Sequence, residues 1–315
     1  MQLPRPTPRT FRKIALFALL ALGFIVITGG AVRLTKSGLG CPDWPTCTEK
    51  RFVATWDYHQ MVEFVNRMIT GLVSLAVILA VLGSLRRIPK RRDLIVLSLG
   101  LVAGVFAQAI LGGQTVKNDL DPRFVMAHFL LSMVLITNAV VLYQRACEPD
   151  AARTRRPVVS GDLVATRWLV VGALTVAIFL GTLVTGTGPH GGDAKAERLR
   201  LFLPDVARAH GVSVAIFLLF VLITLWRLSK VGAPNQLMRR GEVVVAVAVV
   251  QGAIGYIQYF TGVPVVLVGF HIAGATALWA ATVWFFLGFT TMVASHQSEP
   301  EAVTQPAEAG VAFRA

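Results

Sequence analysis

Charged residues are scarce in this sequence. They make up 15% of its 315 residues, whereas 55% of the residues are hydrophobic and the mean hydropathy is +0.65. A chain of this size with so few charged side chains has too little polar surface to cover an ordinary water-soluble domain. The composition therefore excludes a soluble fold and indicates a polytopic membrane protein.

Acidic residues are scarcer still, with 17 Asp and Glu against 30 Lys and Arg, which gives a net charge of +13. The basic residues cluster in alternate connections between apolar segments, at 5–13, 86–92, 145–167 and 227–240. Cytoplasmic loops of membrane proteins are enriched in Lys and Arg, so both termini are predicted to be cytoplasmic in a plasma-membrane protein surrounded by lipid. Because the distribution of Lys and Arg over alternate loops already accounts for the net positive charge, nucleic acid is not expected as a partner.

Cysteine is also rare, with three residues in the chain. Cys41 and Cys47 flank a Pro-Asp-Trp-Pro turn in a predicted outer loop, and with only His59 nearby they are too few to complete a four-ligand zinc site. On the oxidising side of a membrane, we expect the two thiols to form a disulfide. That bond either staples the loop or exchanges electrons as a redox-active pair.

Long apolar runs occupy most of the remaining sequence. About 20 apolar residues cross a hydrocarbon core of roughly 30 Å in helical form, and eight runs of about this length occur. They are residues 14–32, 61–82, 94–113, 124–143, 168–187, 209–226, 243–260 and 265–289. The predicted fold is therefore an all-α integral membrane bundle of eight helices.

One stretch of the chain occurs twice. Gln108 precedes His128 by 20 residues, and Gln251 precedes His271 by the same interval, each time from one apolar run into the next. Such a repeat predicts two similar four-helix halves. The predicted organisation is a cytoplasmic leader (1–13), an N-terminal half (14–146), a cytoplasmic linker (147–166), a C-terminal half (167–290) and a disordered cytoplasmic tail (291–315).

Glu63 and Arg67 introduce two opposite charges into the second apolar run. Their spacing of four residues places both on one helical face. One interpretation is an ion pair that lowers the cost of burying either charge. The other is a carboxylate that handles protons beside a reaction centre.

Histidines recur at matched depths in the even-numbered helices. His271 follows His128 by 143 residues, and His210 follows Asn66 by 144, so the first half has Asn where the second has His. All four positions are expected about 8–11 Å below the outer boundary. Taken singly, each His is compatible with a hydrogen bond between helices. The pair His210 and His271 instead favours axial ligation of a haem iron.

Several motifs together resemble the haem A synthase family: GGAVRLTKSGLGCPDWPTC, EFVNR, the MAH and RAH helices, TGTGPH and GFHIAG. The resemblance covers residues 24–287. It implies an eight-helix bundle of two halves, with a haem b cofactor between His210 and His271. It also implies a substrate haem site in the first half, carrying a Glu-x-x-His-Arg motif and a further histidine. The matching residues are Glu63, Asn66, Arg67 and His128.

The activity implied by this resemblance is oxidation of haem O to haem A, through two hydroxylations of one porphyrin methyl group and loss of water to leave a formyl group. The protein then positions the methyl group and supplies proton transfer, with Glu63 as the candidate catalytic residue. Haem O synthase and cytochrome oxidase assembly factors are the implied partners. Outer arginines are expected either to pair with haem propionates or to anchor the chain at the interface, namely Arg33, Arg67, Arg123 and Arg208.

Asn66 departs from the family motif, which has histidine at this position. We expect the substrate iron to be held by His128 alone. His59 is the alternative second ligand, but it lies seven residues before Asn66, about 10 Å away along a helix. Two other functions stay open at this point: a quinone-linked haem b electron carrier, and a transporter, whose sites also lie between repeats.

Overall fold

The protein is described by a computed structural model, which covers residues 5–49, 51–150 and 153–294. Within these residues, eight helices are long and apolar enough to cross a membrane, which confirms the prediction of an eight-helix membrane fold. They are α1 (Pro8–Leu34), α2 (Tyr58–Arg86), α3 (Arg92–Lys117), α4 (Pro122–Cys147), α5 (Gly161–Thr187), α6 (Leu203–Lys230), α7 (Asn235–Phe260) and α8 (Val265–Leu287).

The starts of several helices follow from their capping residues. The side chain of Thr7 accepts a hydrogen bond from the backbone of Thr10, and Pro8 opens α1 where a missing N–H costs nothing. Asp57 caps α2 in the same way. Asp121 caps α4 immediately before Pro122. These caps fix where the chain enters α1, α2 and α4.

The helices pack as two closed rings. In the first ring α1 contacts α2 and α4, and α3 contacts the same two helices, while α5 to α8 are connected in the same way in the second ring. We call them the first ring and the second ring. Helices α2 and α4, and likewise α6 and α8, therefore face each other diagonally across a ring. The internal similarity of the halves and the side on which the termini lie stay predictions.

Each ring has its own apolar core, and Trp279 on α8 packs against both cores. Its indole Nε1 donates at 2.9 Å to the carbonyl of Met133 and at 2.9 Å to the hydroxyl of Thr137, both on α4. The outward faces are apolar and exposed, as at Leu20, Phe106 and Trp226. These faces are suited to lipid, because lipid tails do not penalise exposed hydrocarbon.

A short antiparallel strand pair joins the two ends of the second ring. Strand β1 (Arg153–Pro157) precedes α5 and pairs with strand β2 (Thr290–Ala294), which follows α8. Neither strand was predicted from the sequence. Helix α1 also begins within the predicted leader, whereas residues 295–315 of the predicted tail lie outside the described residues.

Candidate functional site

His210 on α6 and His271 on α8 face each other across the second ring. Their ring centroids are 6.4 Å apart and the rings are nearly perpendicular, at 83°. The Nδ1 of His210 lies 2.9 Å from the carbonyl of Ala177. A carbonyl can only accept, so Nδ1 carries the proton and Nε2 keeps a lone pair. That tautomer is the one that binds a metal through Nε2.

This pair fits an iron with two axial imidazoles. Metal–imidazole bonds are about 2 Å long, so a shared metal separates the ring centres by two such bonds plus the distance from each nitrogen to its own ring centre. The observed 6.4 Å agrees with that arrangement. Across residues 5–49, 51–150 and 153–294, no three His, Cys, Asp or Glu side chains converge as a metal site. A haem needs only the axial pair, because the porphyrin supplies the other four ligands.

Glycines on neighbouring helices provide the space for these imidazoles. A Cβ on Gly181 of α5 would lie 3.1 Å from Cε1 of His210, and one on Gly255 of α7 would lie 3.1 Å from Cε1 of His271. In both cases the ring packs directly against the backbone of the adjacent helix. The histidines are thus held in place by close helix contact rather than by bulky side chains.

His128 on α4 has the corresponding surroundings in the first ring. A Cβ on Gly112 of α3 would lie 3.3 Å from its Cε1. The side-chain amide of Gln108 donates at 3.1 Å to the carbonyl of His128 and at 2.7 Å to the hydroxyl of Ser132. The Nδ1 of His128 is buried without a hydrogen-bond partner among the described residues.

The first ring does not reproduce the imidazole pair. Asn66 on α2 accepts a hydrogen bond of 2.8 Å on its Oδ1 from the hydroxyl of Thr28 on α1. In the part of the chain that the structure describes, no hydrogen bond joins Asn66 to His128. His59, the alternative ligand, lies in the first turn of α2 with Nδ1 at 3.0 Å from the hydroxyl of Ser37.

Glu63 and Arg67 form an ion pair at 2.5 Å. This pair holds the segment between α1 and α2 that contains Cys41 and Cys47, which we call the cysteine loop. The other oxygen of Glu63 accepts at 2.7 Å from the backbone N–H of Cys41. The Arg67 guanidinium donates to the carbonyls of Cys41, Asp43 and Thr46 at 2.8–2.9 Å. All of these hydrogen bonds go to the backbone of the cysteine loop, so the ion pair is a structural clamp that holds this loop against α2.

The disulfide between Cys41 and Cys47 is present, as predicted, with the sulfurs 2.01 Å apart. Both cysteines are buried, at 0% and 1% exposure. Gly40 packs so tightly on the start of α2 that a Cβ there would lie 2.2 Å from the carbonyl of His59. The loop therefore lies pressed against α2, with its sulfurs shielded.

The four outer arginines have different environments. Arg67 belongs to the clamp, and Arg33 donates at 2.7 Å to the carbonyl of Thr185, which connects the two rings. Arg208 is exposed beside Asp205. Arg123, with its side chain 80% exposed, pairs with Asp121 and holds the pKa of that carboxyl below its usual value. Only Arg123 and Arg208 have exposed guanidinium groups that are accessible to a negatively charged ligand.

The repeated glutamines are recognisable in the sequence, but their role becomes apparent only in the structure. In the structure, Gln251 donates at 2.7 Å to the carbonyl of His271, as Gln108 does to His128. The glycines behind the histidine rings were also missed. A signal was available, because Gln-x-x-x-Gly occurs before each histidine at the same interval, at 108–112 and at 251–255.

Known proteins resemble this chain in sequence. The family model COX15-CtaA, described as a cytochrome oxidase assembly protein, matches residues 12–189. A protein of Exiguobacterium sp. named "Heme A synthase" is 23% identical over 89% of this chain and 91% of its own length. One from Listeria welshimeri with the same name is 23% identical over 86% of this chain and 93% of its own length. A third, from Symbiobacterium thermophilum, is 28% identical over 57% of this chain and 60% of its own length.

Proposed function

The chain belongs to the COX15-CtaA family of cytochrome oxidase assembly proteins, and we propose that it is a haem A synthase, a membrane oxidoreductase that converts haem O to haem A. The observation that carries this proposal is the facing pair His210 and His271, in a chain whose full-length relatives are named for that activity. The pair accounts for one haem per chain that stays bound as a cofactor.

The proposed reaction converts a porphyrin methyl group of haem O to a formyl group, through two hydroxylations and loss of water. Overall the carbon gains one oxygen atom and loses four electrons and four protons, so an external oxidant is consumed. Haem b, when bound between His210 and His271, supplies a redox centre that transfers electrons during the oxidation. His128 is the ligand proposed for the iron of the substrate, in the first ring. The two histidine sites then lie in adjacent rings that pack together through α1, α4 and α8, so the protein holds cofactor and substrate near each other.

Glu63 is the candidate catalytic residue, positioned by Arg67 and by the backbone of Cys41. A carboxylate held on both oxygens keeps one orientation, which favours a residue that orients water or receives a proton at a fixed place. Asn66 lies one helical turn further along the same face of α2. Glu63, Asn66, Arg67 and His128 together make up the proposed substrate site.

The proposed location is the plasma membrane, with both termini in the cytoplasm and the cysteine loop outside. Support comes from the basic residues on the side opposite that loop. Haem O is the proposed substrate, delivered by haem O synthase, and cytochrome oxidase assembly factors are the proposed recipients of the product. The family's role in cytochrome oxidase assembly supports these partners, and the poor solubility of both haems favours transfer within the membrane.

The test is a haem inventory of the purified protein. The chain is expressed with haem O synthase, and its extracted haems are separated by chromatography. Haem b together with haem O or haem A supports the proposal. Two haem b molecules per chain and no other haem would contradict it, and would instead favour a quinone-linked electron carrier.

Two variants then assign the sites. His271→Ala is expected to remove the haem b spectrum, because an axial ligand is lost. His128→Ala is expected to leave haem b in place and to abolish binding of haem O. If His271→Ala keeps a normal haem b spectrum, the cofactor does not lie between α6 and α8.

A further inference from the structure

We propose that the first ring holds the substrate iron through His128 alone, and that the amide NH2 of Asn66 is aimed at the open side of that iron as a hydrogen-bond donor. This inference rests on the proposed function, which puts a haem substrate in the first ring. It adds the coordination state of that substrate and assigns Thr28 as the residue that orients Asn66.

The first step is that His128 is placed as an iron ligand. Its surroundings match those of His271, which faces a second imidazole. Each ring packs on a glycine 16 residues earlier in the chain, at 3.3 Å for Gly112 and 3.1 Å for Gly255, measured from the would-be Cβ to Cε1. In each case Nδ1 is buried without a hydrogen-bond partner among the residues described. The two imidazoles are therefore packed in the same way against their neighbouring helices.

The second step is that the residue opposite His128 has no imidazole. Asn66 and His210 occupy corresponding positions on α2 and α6, 144 residues apart. His210 has its Nδ1 bonded to the carbonyl of Ala177, which leaves Nε2 for a metal. Asn66 has a shorter side chain and a neutral carboxamide, which is a ligand for hard cations rather than for haem iron.

The Asn66 amide is oriented by a hydrogen bond from α1. Its Oδ1 accepts from the hydroxyl of Thr28 at 2.8 Å. The same hydroxyl lies 3.2 Å from the carbonyl of Ile25 in its own helix, so its single proton has two acceptors within reach. The shorter contact, at 2.8 Å, assigns the proton to Oδ1 and leaves Nδ2 directed elsewhere. Nδ2 makes no hydrogen bond to any described side chain or backbone group, so both of its protons are free to donate to a ligand in the ring.

The fourth step concerns His59 as a replacement ligand. Its Nδ1 lies 3.0 Å from the hydroxyl of Ser37, and its ring packs edge-on against Tyr58. It is exposed in the first turn of α2, about 10 Å along the helix from Asn66. His59 is thus engaged with Ser37 and Tyr58 at the start of α2 and does not supply the missing imidazole.

An iron with one protein ligand has two properties that a bis-histidine iron lacks. It binds a small molecule on its open side, and it is released by breaking one coordinate bond rather than two. A substrate must enter and a product must leave, whereas a cofactor must stay. The difference between Asn66 and His210 therefore separates an exchangeable haem from a permanent one.

The experiment uses full-length purified protein containing haem b, to which haem O is added. Carbon monoxide is the probe, because it binds ferrous haem only where a coordination position is open. The added haem O is expected to bind carbon monoxide and to be high-spin in its absence, while haem b does neither. Low-spin haem O that excludes carbon monoxide would overturn the inference.

Variants at the two corresponding positions sharpen the test. Asn66→His is expected to make the added haem O low-spin and to abolish its binding of carbon monoxide. His210→Asn, the matched change in the second ring, is expected to open haem b to carbon monoxide. Thr28→Val is expected to keep carbon monoxide binding but to raise its dissociation rate several-fold, since the amide donor is no longer held. An unchanged dissociation rate in Thr28→Val would remove Thr28 from the proposal.

Failure of the proposed function gives a different result. If haem O does not bind at all, or binds equally well to the His128→Ala variant, then the first ring is not a substrate site. The inference about Asn66 fails on its own only when haem O binds through His128 and is nevertheless six-coordinate. The spectra distinguish these outcomes without any measurement of catalysis.

Discussion

Gln251 on α7 donates its side-chain amide to the backbone carbonyl of His271 on α8, at 2.7 Å. The corresponding bond in the first ring, from Gln108 to the carbonyl of His128, is 3.1 Å long. A helical carbonyl already accepts from its own helix, so the glutamine adds a second bond that fixes one helix against the next. The depth of each histidine therefore depends on a residue 20 positions earlier in the chain.

Replacing Gln251 with Leu tests this dependence. We expect a loss of about 1 kcal/mol in the free energy of unfolding, the size of one hydrogen bond between membrane helices. We also expect a shift in the midpoint potential of haem b, because His271 is no longer held in place. Gln258→Leu is the control, since it makes the same chemical change on α7 seven residues further on. An equal shift in potential in both variants would argue against a specific role for Gln251.

Gly274 on α8 makes room for the Gln251 side chain. A Cβ at Gly274 would lie 2.0 Å from Oε1 of Gln251, so Gly274→Ala is expected to displace the glutamine and to reproduce the effect of Gln251→Leu. Gly252→Ala, where the added Cβ meets open space, is expected to leave stability and potential unchanged. The double variant Gly274→Ala/Gln251→Leu should lose little more stability than either single variant. A double-mutant cycle on melting temperatures measures this coupling.

The eight membrane-spanning helices could be predicted from the sequence, but the contacts between helices could not. Eight apolar runs and their basic connections are local signals, and all eight runs correspond to helices. The pairing of His210 with His271 was predictable because both lie at matched depths in the repeat. The Thr28–Asn66 bond was not, because apolar helices have no strong periodicity that tells which face meets which neighbour.

The role of the Glu63–Arg67 pair depends on a loop whose path the sequence does not specify. Spacing predicted the ion pair itself, which is confirmed at 2.5 Å. The three carbonyls that Arg67 binds come from residues 41–46, in a segment of turns without a repeating pattern. Backbone carbonyls are present at every residue, so a sequence carries no signal of which ones are used.

Arg67→Lys is expected to loosen the cysteine loop. Lysine cannot reproduce the fork that binds several carbonyls and Glu63 together, and we expect a loss of about 2–3 kcal/mol in stability. The measurement is the rate of proteolysis within residues 41–57, together with the melting temperature. Arg123→Lys serves as the control, because that exposed ion pair should contribute little. Equal proteolysis of wild type and Arg67→Lys would show that the clamp is not needed.

The disulfide is expected to act as a staple. Both sulfurs are buried, and exchange of electrons requires a thiolate to reach one of them. Replacing both cysteines with Ser should cost about 2 kcal/mol, the loop-closure value for a short cross-link. In the folded wild type, dithiothreitol should reduce the bond only as fast as the loop opens. Thiol alkylation and mass spectrometry measure the rate of reduction. Rapid reduction without unfolding would instead indicate a redox-active pair.

Trp279 is expected to hold the two rings together. Trp279→Phe removes both hydrogen bonds to α4 while keeping most of the apolar contact, and should lower the free energy of unfolding by about 1–2 kcal/mol. Trp226→Phe on the exposed face of α6 is the matched control and should have little effect. Thermal unfolding in detergent measures both. Equal melting temperatures for the two variants would show that the rings associate without these bonds.

The paired strands β1 and β2 bring the beginning and the end of the second ring together. Strand β1 leads into α5 and strand β2 leaves α8, with Pro157 opposite Thr290 and Arg153 opposite Ala294. The polypeptide thus enters and leaves the second ring at the same place, where β1 and β2 pair. During synthesis, this pairing forms only after all four helices of the ring have been made. The second ring is therefore a segment whose two ends lie side by side, and joining those ends by a short peptide would cyclise it without changing the path of any helix.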